Sequence, residues 1–316
     1  MKPNLTTKNV LVTGGAGFIG SHLVERLVAK GCQVLVVDNL HKGRVESIQH
    51  LLRCDGFGLE TGDIRDDAVL SRLIDRGPFD VLYHLAAMHY IPECMIQPGE
   101  TLSVNVLGTQ ALVSIVPCRR FVFASTGDVY APKDAAHAET DALRPFNVYG
   151  LSKLFCEQLL GMTSLGSEAT TFVVARLFNV YGSGETNSHL IPRIVDEIKR
   201  GQCIRLGNLW TRRDYTHVAD TVNALLALGE LELQSAFEVF NVGTAVATSV
   251  EHVVKLFEEI LGTSLRIEVD PDRSRQIDRL HLQADIKKLH NATEWLPQYS
   301  LRDGLKQLCL QERLLR

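Results

Sequence analysis

The sequence has little that would suit a nucleic-acid partner, a membrane or a secreted protein. Its 33 Lys and Arg residues against 37 Asp and Glu residues leave a net charge of −4, which offers no attraction for a polyanion or an anionic lipid surface. No apolar run reaches the roughly 18 residues that a membrane-spanning helix needs. The first residues lack the apolar core of a signal peptide. We therefore expect a soluble cytoplasmic protein with no nucleic-acid or membrane partner.

Paired cysteines and linkers are also missing. The seven cysteines are an odd number, widely spaced and without a Cys-x-x-Cys pair, which is typical of reduced thiols rather than of disulfides or a zinc site. No repeat or Pro-rich linker divides the 316 residues. This length predicts about two domains, or one large α/β unit with an added lobe. No metal site is expected.

Short apolar segments alternate with helical patterns along the chain. Continuous apolar strands separated by helices predict a parallel sheet that is covered on both faces. We expect strands in Val10–Val12, Val34–Val37, Val81–Leu85, Phe121–Ala124, Phe172–Arg176 and Glu238–Val242. Later segments predict helices over Pro192–Arg200 and Val250–Leu261 and a strand over Leu265–Val269.

A glycine-rich loop follows the first strand and opens a helix. Gly14, Gly17 and Gly20 have the spacing that allows a tight turn and brings backbone close to a pyrophosphate at a helix N-terminus. Asp38 ends the next strand, where a carboxylate bonds ribose hydroxyls and repels a 2′-phosphate, so the pattern favours NAD over NADP. Asp63, after a further apolar stretch, either accepts from an adenine amine or is a turn residue.

A tyrosine and a lysine stand four residues apart. Tyr149 and Lys153 share one helix face, and a cation beside a phenol lowers the pKa of the phenol, as a base for an alcohol proton requires. Thr126 follows the Phe121–Ala124 segment, at the sheet edge where α/β proteins bind ligands. Its hydroxyl either shares the reacting oxygen of the substrate or caps the next turn.

Taken together, these motifs resemble the extended short-chain dehydrogenase/reductase family, in its nucleotide-sugar epimerase and dehydratase branch. The resemblance implies an α/β fold with a Rossmann-type doubly wound parallel sheet, formed by residues 1–180 and 216–245, which binds NAD. A smaller nucleotide-sugar-binding lobe is expected from residues 181–215 and 246–316. The matching segments are Thr13–Gly20, Asp38–Leu40, Gly62–Ile64, His84–Ala87, Val104–Thr109, Tyr149 with Lys153, Arg176–Gly182, Arg213–Asp220, Arg275–Asp278 and Ala284–Asp285.

The resemblance also implies how the site works. Hydride passes from C4 of the sugar to NAD while Tyr149, assisted by Lys153, takes the hydroxyl proton and Thr126 bonds O4. In a 4-epimerase the 4-keto sugar turns over in the site and hydride returns to its other face. The residues expected to bind NAD are Gly14, Gly17, Phe18, Ile19, Gly20, Asp38, Asn39, Asp63, Ile64, Leu85, Ala86, Ala87, Asn105, Tyr149 and Lys153.

Substrate contacts follow from family position. Asn179, Arg213 and Arg275 are expected at the nucleotide diphosphate or its ribose, and Asp278 near the ribose. Arginine forks suit a doubly charged diphosphate on a net acidic protein. His89 lies on a loop that faces the sugar, where it either binds a hydroxyl or carboxylate or is structural.

The choice of reaction depends on residues 126–128. Dehydratases of this branch carry Thr-Asp-Glu there, whereas this chain has Gly127, which cannot donate a proton, followed by Asp128. Asp128 either acts as a base at C5 or orients a hydroxyl or water. The leading hypothesis is a nucleotide-sugar 4-epimerase, with UDP-hexose or UDP-uronate slightly preferred. The alternative is a dehydratase or decarboxylase that uses Asp128, possibly on a GDP- or CDP-sugar, since residues 206–214 resemble the GDP-mannose dehydratase group.

Two further expectations concern the protein as a whole. A non-catalytic NAD-binding sensor is a remote alternative, because such a protein would lose Tyr149, Lys153 or Thr126. The family implies a homodimer formed by the helix that begins near Thr101 and the helix that carries Lys153. Apolar spacing suits such a face or plain core packing, and its residues are Val104, Leu107, Ala111, Leu112 and Ile115.

Overall fold

The computed structural model describes residues 8–167, 169–201, 203–270 and 279–315. Its strands, in chain order, are β1 Asn9–Thr13, β2 Gln33–Asp38, β3 Phe57–Thr61, β4 Phe79–His84, β5 Cys118–Thr126, β6 Thr171–Leu177, β7 Asn179–Tyr181, β8 Ile204–Leu206, β9 Arg212–His217, β10 Phe237–Val242, β11 Ala247–Ser249, β12 Ile267–Val269 and β13 His281–Leu282. Its helices are α1 Phe18–Ala29, α2 Asp67–Arg76, α3 Ile91–Ile96, α4 Pro98–Leu102, α5 Gly108–Ile115, α6 Val148–Ser164, α7 Leu190–Lys199, α8 Val218–Glu230, α9 Val250–Leu261, α10 Lys287–Thr293 and α11 Leu301–Gln311.

The largest sheet has seven strands in the order β10-β6-β5-β4-β1-β2-β3. All of its neighbouring strands run parallel. The chain builds outward from β1 to β3 and then resumes on the other side of β1 with β4. Ligands of such sheets bind at the carboxyl ends of the strands where the order reverses, which here is between β1 and β4.

Both faces of this sheet are apolar. Along β1, Val10 and Val12 belong to one core, which α1 and α8 cover, and Leu11 belongs to a second core beneath α2, α5 and α6. Alternate strand residues point to opposite faces, so a continuous apolar run is what a sheet covered on both sides requires. The predicted doubly wound α/β fold is therefore confirmed.

Smaller strands form a unit beside the carboxyl edge of the large sheet. The strand β7 begins one residue after β6 ends and pairs with β9, which also pairs with β11 and β13. The strands β8 and β12 form a separate parallel pair. A third core joins this unit to α7, α9 and α11 through Ile194, Phe257 and Leu305. The residue limits of the two expected domains stay a prediction.

Agreement with the predicted elements is closest where apolar residues run continuously. Strands occur at all six positions expected in the large sheet, and α9 has the predicted bounds. The sequence pattern sets no bounds for β3, because its residues are only half-buried at the sheet edge. Among the described residues, none of the helices combines the length and apolar character that crossing a membrane requires.

Candidate active site

A cavity of about 920 Å³ opens at the carboxyl edge of the large sheet and continues under the smaller unit. It gathers most of the predicted site residues. Those that line it are Gly14, Gly17, Phe18, Ile19, Gly20, Asp38, Asn39, Asp63, Ile64, Leu85, Ala86, Ala87, His89, Thr126, Asp128, Tyr149, Lys153, Asn179 and Arg213. Arg275 and Asp278 lie outside the described residues. No cluster of His, Cys, Asp or Glu suited to a metal ion occurs within the described part of the chain.

The loop between β1 and α1 needs glycine where backbone segments meet. Gly14 has a φ of +73°, and a Cβ on it would lie 2.7 Å from the amide nitrogen of Ala86. A Cβ on Gly20 would lie 2.1 Å from the carbonyl oxygen of Gly14. The helix α1 begins after Gly17 without a side-chain cap, so its first N–H groups are available to phosphate oxygens.

Two carboxylates mark the end of the cavity beside β2, which we call the acidic end (Asp38 and Asp63). Asp38 accepts hydrogen bonds from the backbone N–H groups of Ala16 at 3.0 Å and Leu40 at 2.8 Å. Burial raises the pKa of Asp38, against these two bonds. The carboxylate is thus held by the glycine loop itself, as expected of a group that receives ribose hydroxyls.

Asp63 is paired rather than free for an adenine. Its carboxylate accepts from Arg65 Nε at 2.9 Å and Nη2 at 2.8 Å and from Asn39 Nδ2 at 3.2 Å. The Arg65 hydrogen bond lowers the pKa of Asp63 to about 2. The prediction that Asp63 accepts from an adenine amine stays open, because the Arg65 pair does not use every lone pair of the carboxylate.

The opposite end of the cavity, the Tyr149 end, is formed by Thr126, Tyr149 and Lys153. Thr126 ends β5, and α6 begins one turn before Lys153 because Asn147 caps it by accepting from the Gly150 N–H at 2.7 Å. Lys153 donates to the Ala124 carbonyl at 2.7 Å. Lys153 therefore joins the start of α6 to the carboxyl end of β5.

Lys153 alone would lower the pKa of Tyr149, but the pKa of Tyr149 is raised. Burial raises it, the Asp128 carboxylate raises it further, and a hydrogen bond with Thr126 opposes both. Burial also lowers the pKa of Lys153 to about 8, so the ammonium persists at neutral pH. Desolvation is the largest cause of both shifts because both side chains are enclosed.

Asp128 faces a buried arginine that the sequence analysis did not identify. Arg279 is 3% exposed and donates to the Gly127 carbonyl at 3.0 Å and to the Tyr130 carbonyl. Burial lowers its pKa and Asp128 opposes that shift. Arg279 thereby ties the segment just before β13 to the turn that begins at Gly127.

Gly127 is closely packed. A Cβ at this position would lie 3.2 Å from the Phe178 ring, and Phe178 also lines the cavity. The space that a side chain at position 127 would occupy is therefore filled by the Phe178 ring rather than by solvent.

Asn105 is not among the residues that line the cavity. It accepts from the Met88 N–H at 2.8 Å and donates to the Met88 carbonyl at 2.9 Å and to Ser152 Oγ at 2.9 Å. It therefore holds the loop after β4 against α6. Its expected contact with NAD stays a prediction.

His89 contacts a residue that is distant in sequence, because its Nε2 lies 3.0 Å from Nδ2 of Asn187. Glu185 and His189 line the cavity beside it. The three residues are Glu185, Asn187 and His189. They lie about a hundred residues further along the chain than His89, and no sequence motif indicates them.

A glycine loop at a switch point, an acid after β2 and a Tyr/Lys pair beside a threonine define a dinucleotide-dependent enzyme that oxidises a carbon bearing a hydroxyl. The GDP-mannose 4,6 dehydratase family profile matches residues 11–308. A UDP-glucose 4-epimerase of Halalkalibacterium halodurans is 33% identical, over 92% of this chain and 91% of that protein. UDP-glucuronic acid decarboxylase 1 of Arabidopsis thaliana is 30% identical, over 95% of this chain and 68% of that protein.

A solved structure is also similar. The UDP-glucuronic acid 4-epimerase of Bacillus cereus, in complex with UDP-glucuronic acid and NAD, has a TM-score of 0.88 at 27% identity and covers 97% of this chain and 99% of its own. The present chain belongs to the extended short-chain dehydrogenase/reductase family, in its nucleotide-sugar epimerase and dehydratase branch. It is an enzyme of this NAD-dependent group, and its glycine cradle and Asp38 fit that cofactor.

Proposed function

We propose that the enzyme is an NAD-dependent nucleotide-sugar 4-epimerase that acts through a transient 4-keto sugar, with a UDP-sugar as substrate. One observation carries this proposal. Thr126 and Tyr149 place two hydroxyl groups in the same cavity as the glycine loop and Asp38. A sugar hydroxyl placed between these two oxygens would lie at the dinucleotide's reactive end.

Each residue of the Tyr149 end then has a role in the reaction. Bound NAD supplies a reversible hydride acceptor for C4. Tyr149 takes the proton of the C4 hydroxyl and returns it, and Thr126 holds O4 in place. Lys153 lies over the Phe123 ring at 4.6 Å and carries the positive charge that favours the phenolate.

Residues of the smaller unit would bind the nucleotide diphosphate. Asn179 begins β7 and Arg213 lies in β9, and both line the cavity. A guanidinium and an amide are donors that phosphate oxygens accept. Arg275 and Asp278 remain predicted partners of the same group.

A dehydratase or decarboxylase is the second candidate. Asp128 favours it, because this carboxylate lines the cavity near enough to Tyr149 to raise the pKa of the phenol. The similarity to a uronate decarboxylase supports the same reading. Gly127 opposes it, because the acid that protonates the leaving group in the dehydratases is absent.

Replacing Asp128 by Asn distinguishes the two. In an epimerase we expect turnover to fall by about tenfold, well short of the roughly hundredfold or greater loss that follows removal of a general base. The steady-state rate of inversion at C4 measures this loss of turnover. Near-abolition of turnover would instead identify Asp128 as a base.

The direct test of the proposed function is a panel of UDP-, GDP-, CDP- and dTDP-sugars, including uronates, with products read by NMR. Inversion at C4 without net loss of water or carbon dioxide is expected. NAD released on denaturation would accompany it. A 4-keto-6-deoxy product, visible by its absorbance in base, would contradict the proposal.

A homodimer is the proposed assembly. Of the five residues expected on its face, Leu112 is buried in the core, whereas Leu107 is 58% and Ile115 38% exposed. On α6, Phe155 and Met162 are exposed as well. Apolar side chains in a stripe on neighbouring helices suit a second copy of the chain. The cytoplasmic location and the lack of nucleic-acid and membrane partners stay predictions.

Replacing Phe155 by Asp should dissociate this dimer. A charge buried in an apolar interface costs several kcal/mol, roughly enough to lower affinity a hundredfold or more. Sedimentation equilibrium would show the mass falling from two chains of 35.1 kDa to one. Leu52→Asp, at a position 47% exposed elsewhere, is the matched control and should stay dimeric. A wild-type monomer would contradict the proposal.

A further inference from the structure

The turn that follows β5 is held by one buried side chain from the segment before β13. Arg279 is 3% exposed, and its guanidinium donates from Nη1 to the Gly127 carbonyl at 3.0 Å and from Nη2 to the Tyr130 carbonyl. An arginine stays protonated in a protein, so a positive charge lies against these backbone oxygens. Neither the family motifs nor the proposed mechanism uses Arg279.

The bond to Gly127 acts on a single peptide group. The Gly127 carbonyl and the Asp128 N–H belong to the same plane, because the peptide bond between them does not rotate freely. Arg279 holds the carbonyl end of this plane, and the N–H end donates to Thr126 Oγ1 at 3.2 Å. The orientation that Arg279 gives to the plane therefore decides whether the N–H reaches Thr126.

This peptide group is one that could readily turn over. Such a rotation changes ψ of Gly127 and φ of Asp128. Glycine has no Cβ to restrict it, and aspartate is among the residues that adopt a positive φ most readily. The bond from the Tyr130 N–H to the Gly127 carbonyl is 3.3 Å long, so Arg279 supplies the shorter of these two bonds to the plane.

Both the guanidinium and the turn have further packing partners. The central carbon of the Arg279 guanidinium lies 5.1 Å from the centroid of the Phe146 ring, and both residues line the cavity. A Cβ on Gly150 would lie 2.7 Å from the Asp128 carbonyl oxygen, so α6 packs directly against the turn. Arg279 and the first turn of α6, which carries Tyr149, thus contact successive peptide groups.

The Asp128 N–H restricts where the Thr126 hydroxyl can donate. A hydroxyl has one hydrogen and two lone pairs. Because one lone pair of Thr126 Oγ1 accepts from this N–H, the hydrogen is left for an acceptor in the cavity, which Thr126 lines. The charge of Arg279 on the carbonyl also polarises the peptide group, and hydrogen bonds in such a chain strengthen one another.

We propose that Arg279 is a positioning residue for Thr126. It holds the peptide group between Gly127 and Asp128 with the N–H directed at Thr126 Oγ1, and so keeps the Thr126 hydrogen available to the sugar oxygen that Tyr149 deprotonates. Without Arg279 the peptide group can turn its carbonyl toward Thr126, which then donates to the backbone instead. This inference rests on the proposed function, in which Thr126 holds O4.

A double-mutant cycle tests this, because a residue that acts through the Thr126 hydroxyl has no effect once that hydroxyl is gone. Arg279→Met should lower kcat per bound NAD about tenfold and change the KM of the UDP-sugar less than about twofold. Thr126→Val should lower kcat about a hundredfold, as loss of one donor to a reacting oxygen does. The double variant should match Thr126→Val within about twofold, whereas independent effects would multiply to about a thousandfold.

Arg120→Met is the matched control. Arg120 lies near the start of β5, and its guanidinium also donates to two carbonyls, those of Leu228 and Gly229, at 3.3 Å each. It is not among the residues that line the cavity. Its kcat should equal that of the wild type, alone and in the Thr126→Val background.

Arg279→Lys keeps the charge and should stay within about threefold of the wild-type kcat. If Arg279→Met lowers the melting temperature, the cycle is run with this lysine variant, whose smaller loss should likewise vanish beside Thr126→Val. Losses that multiply in the double variant would overturn the inference, as would wild-type kcat in Arg279→Met.

Failure of the proposed function is distinguishable from failure of this inference. The same cycle can be read as single-turnover reduction of bound NAD by the UDP-sugar, a step at C4 that precedes the choice between epimerase, dehydratase and decarboxylase. A wild-type protein that reduces NAD without inverting C4 contradicts the proposed function, and the cycle on that step still decides the role of Arg279.

Discussion

Replacing Tyr149 by Phe is expected to lower turnover by about a thousandfold, in the range that follows removal of a general base. The change removes one oxygen and keeps the ring that fills the wall between Thr126 and Lys153. The C4 hydroxyl then has no group to take its proton as hydride leaves. Bound NAD should be retained, because the glycine loop and Asp38 are untouched.

Single-turnover measurements with a UDP-sugar separate these effects, since cofactor content is read by absorbance and the chemical step by product NMR. Tyr299→Phe is the matched control: it removes a phenol oxygen beside His217, where the ring centroids are 4.2 Å apart, outside the cavity lining. Near-normal turnover in Tyr149→Phe would show that another group carries the proton.

Replacing Gly20 by Ala is expected to weaken the binding of NAD and lower the cofactor content of the protein. The added Cβ would lie 2.1 Å from the Gly14 carbonyl, so the loop must move away from α1. Displacing packed backbone costs on the order of 1–3 kcal/mol, which corresponds to about a ten- to hundredfold weaker NAD complex. The N–H groups of the first turn would also no longer meet the pyrophosphate together.

NAD content after denaturation, followed by titration of the apoprotein, measures the effect. Gly99→Ala is the control, because a Cβ at this position meets nothing within 4 Å. Its cofactor content should match that of the wild type. Wild-type NAD content in Gly20→Ala would mean that the loop is not the pyrophosphate cradle.

The sequence could predict the parts of the site that depend on local pattern. Gly14, Gly20 and Asp38 follow strands that are recognisable as continuous apolar runs, so their place at one sheet edge follows from topology. Tyr149 and Lys153 share a face because α6 is a helix. The directions of their pKa shifts could not be predicted, because burial is the largest cause of both and Asp128 adds to the shift of Tyr149.

Long-range contacts account for what was missed. Arg279 reaches the turn at Gly127 across 152 residues, and Asn187 reaches His89 across 98. No periodicity or spacing encodes such a pair, since each contact forms only where the smaller unit packs against loops of the large sheet. Leu112 was expected either at an interface or in the core. The structure places it in the core, packed with residues of α2 and α6.

The packing at Gly127 also bears on how this enzyme could diverge. An aspartate there is one of the two acids that the resemblance assigns to the dehydratases of this branch. Its Cβ would meet the Phe178 ring at 3.2 Å, so Phe178 must first give way by a few tenths of an ångström. Any side chain at position 127 would therefore have to be accommodated by a shift of the Phe178 ring, so positions 127 and 178 are coupled through packing.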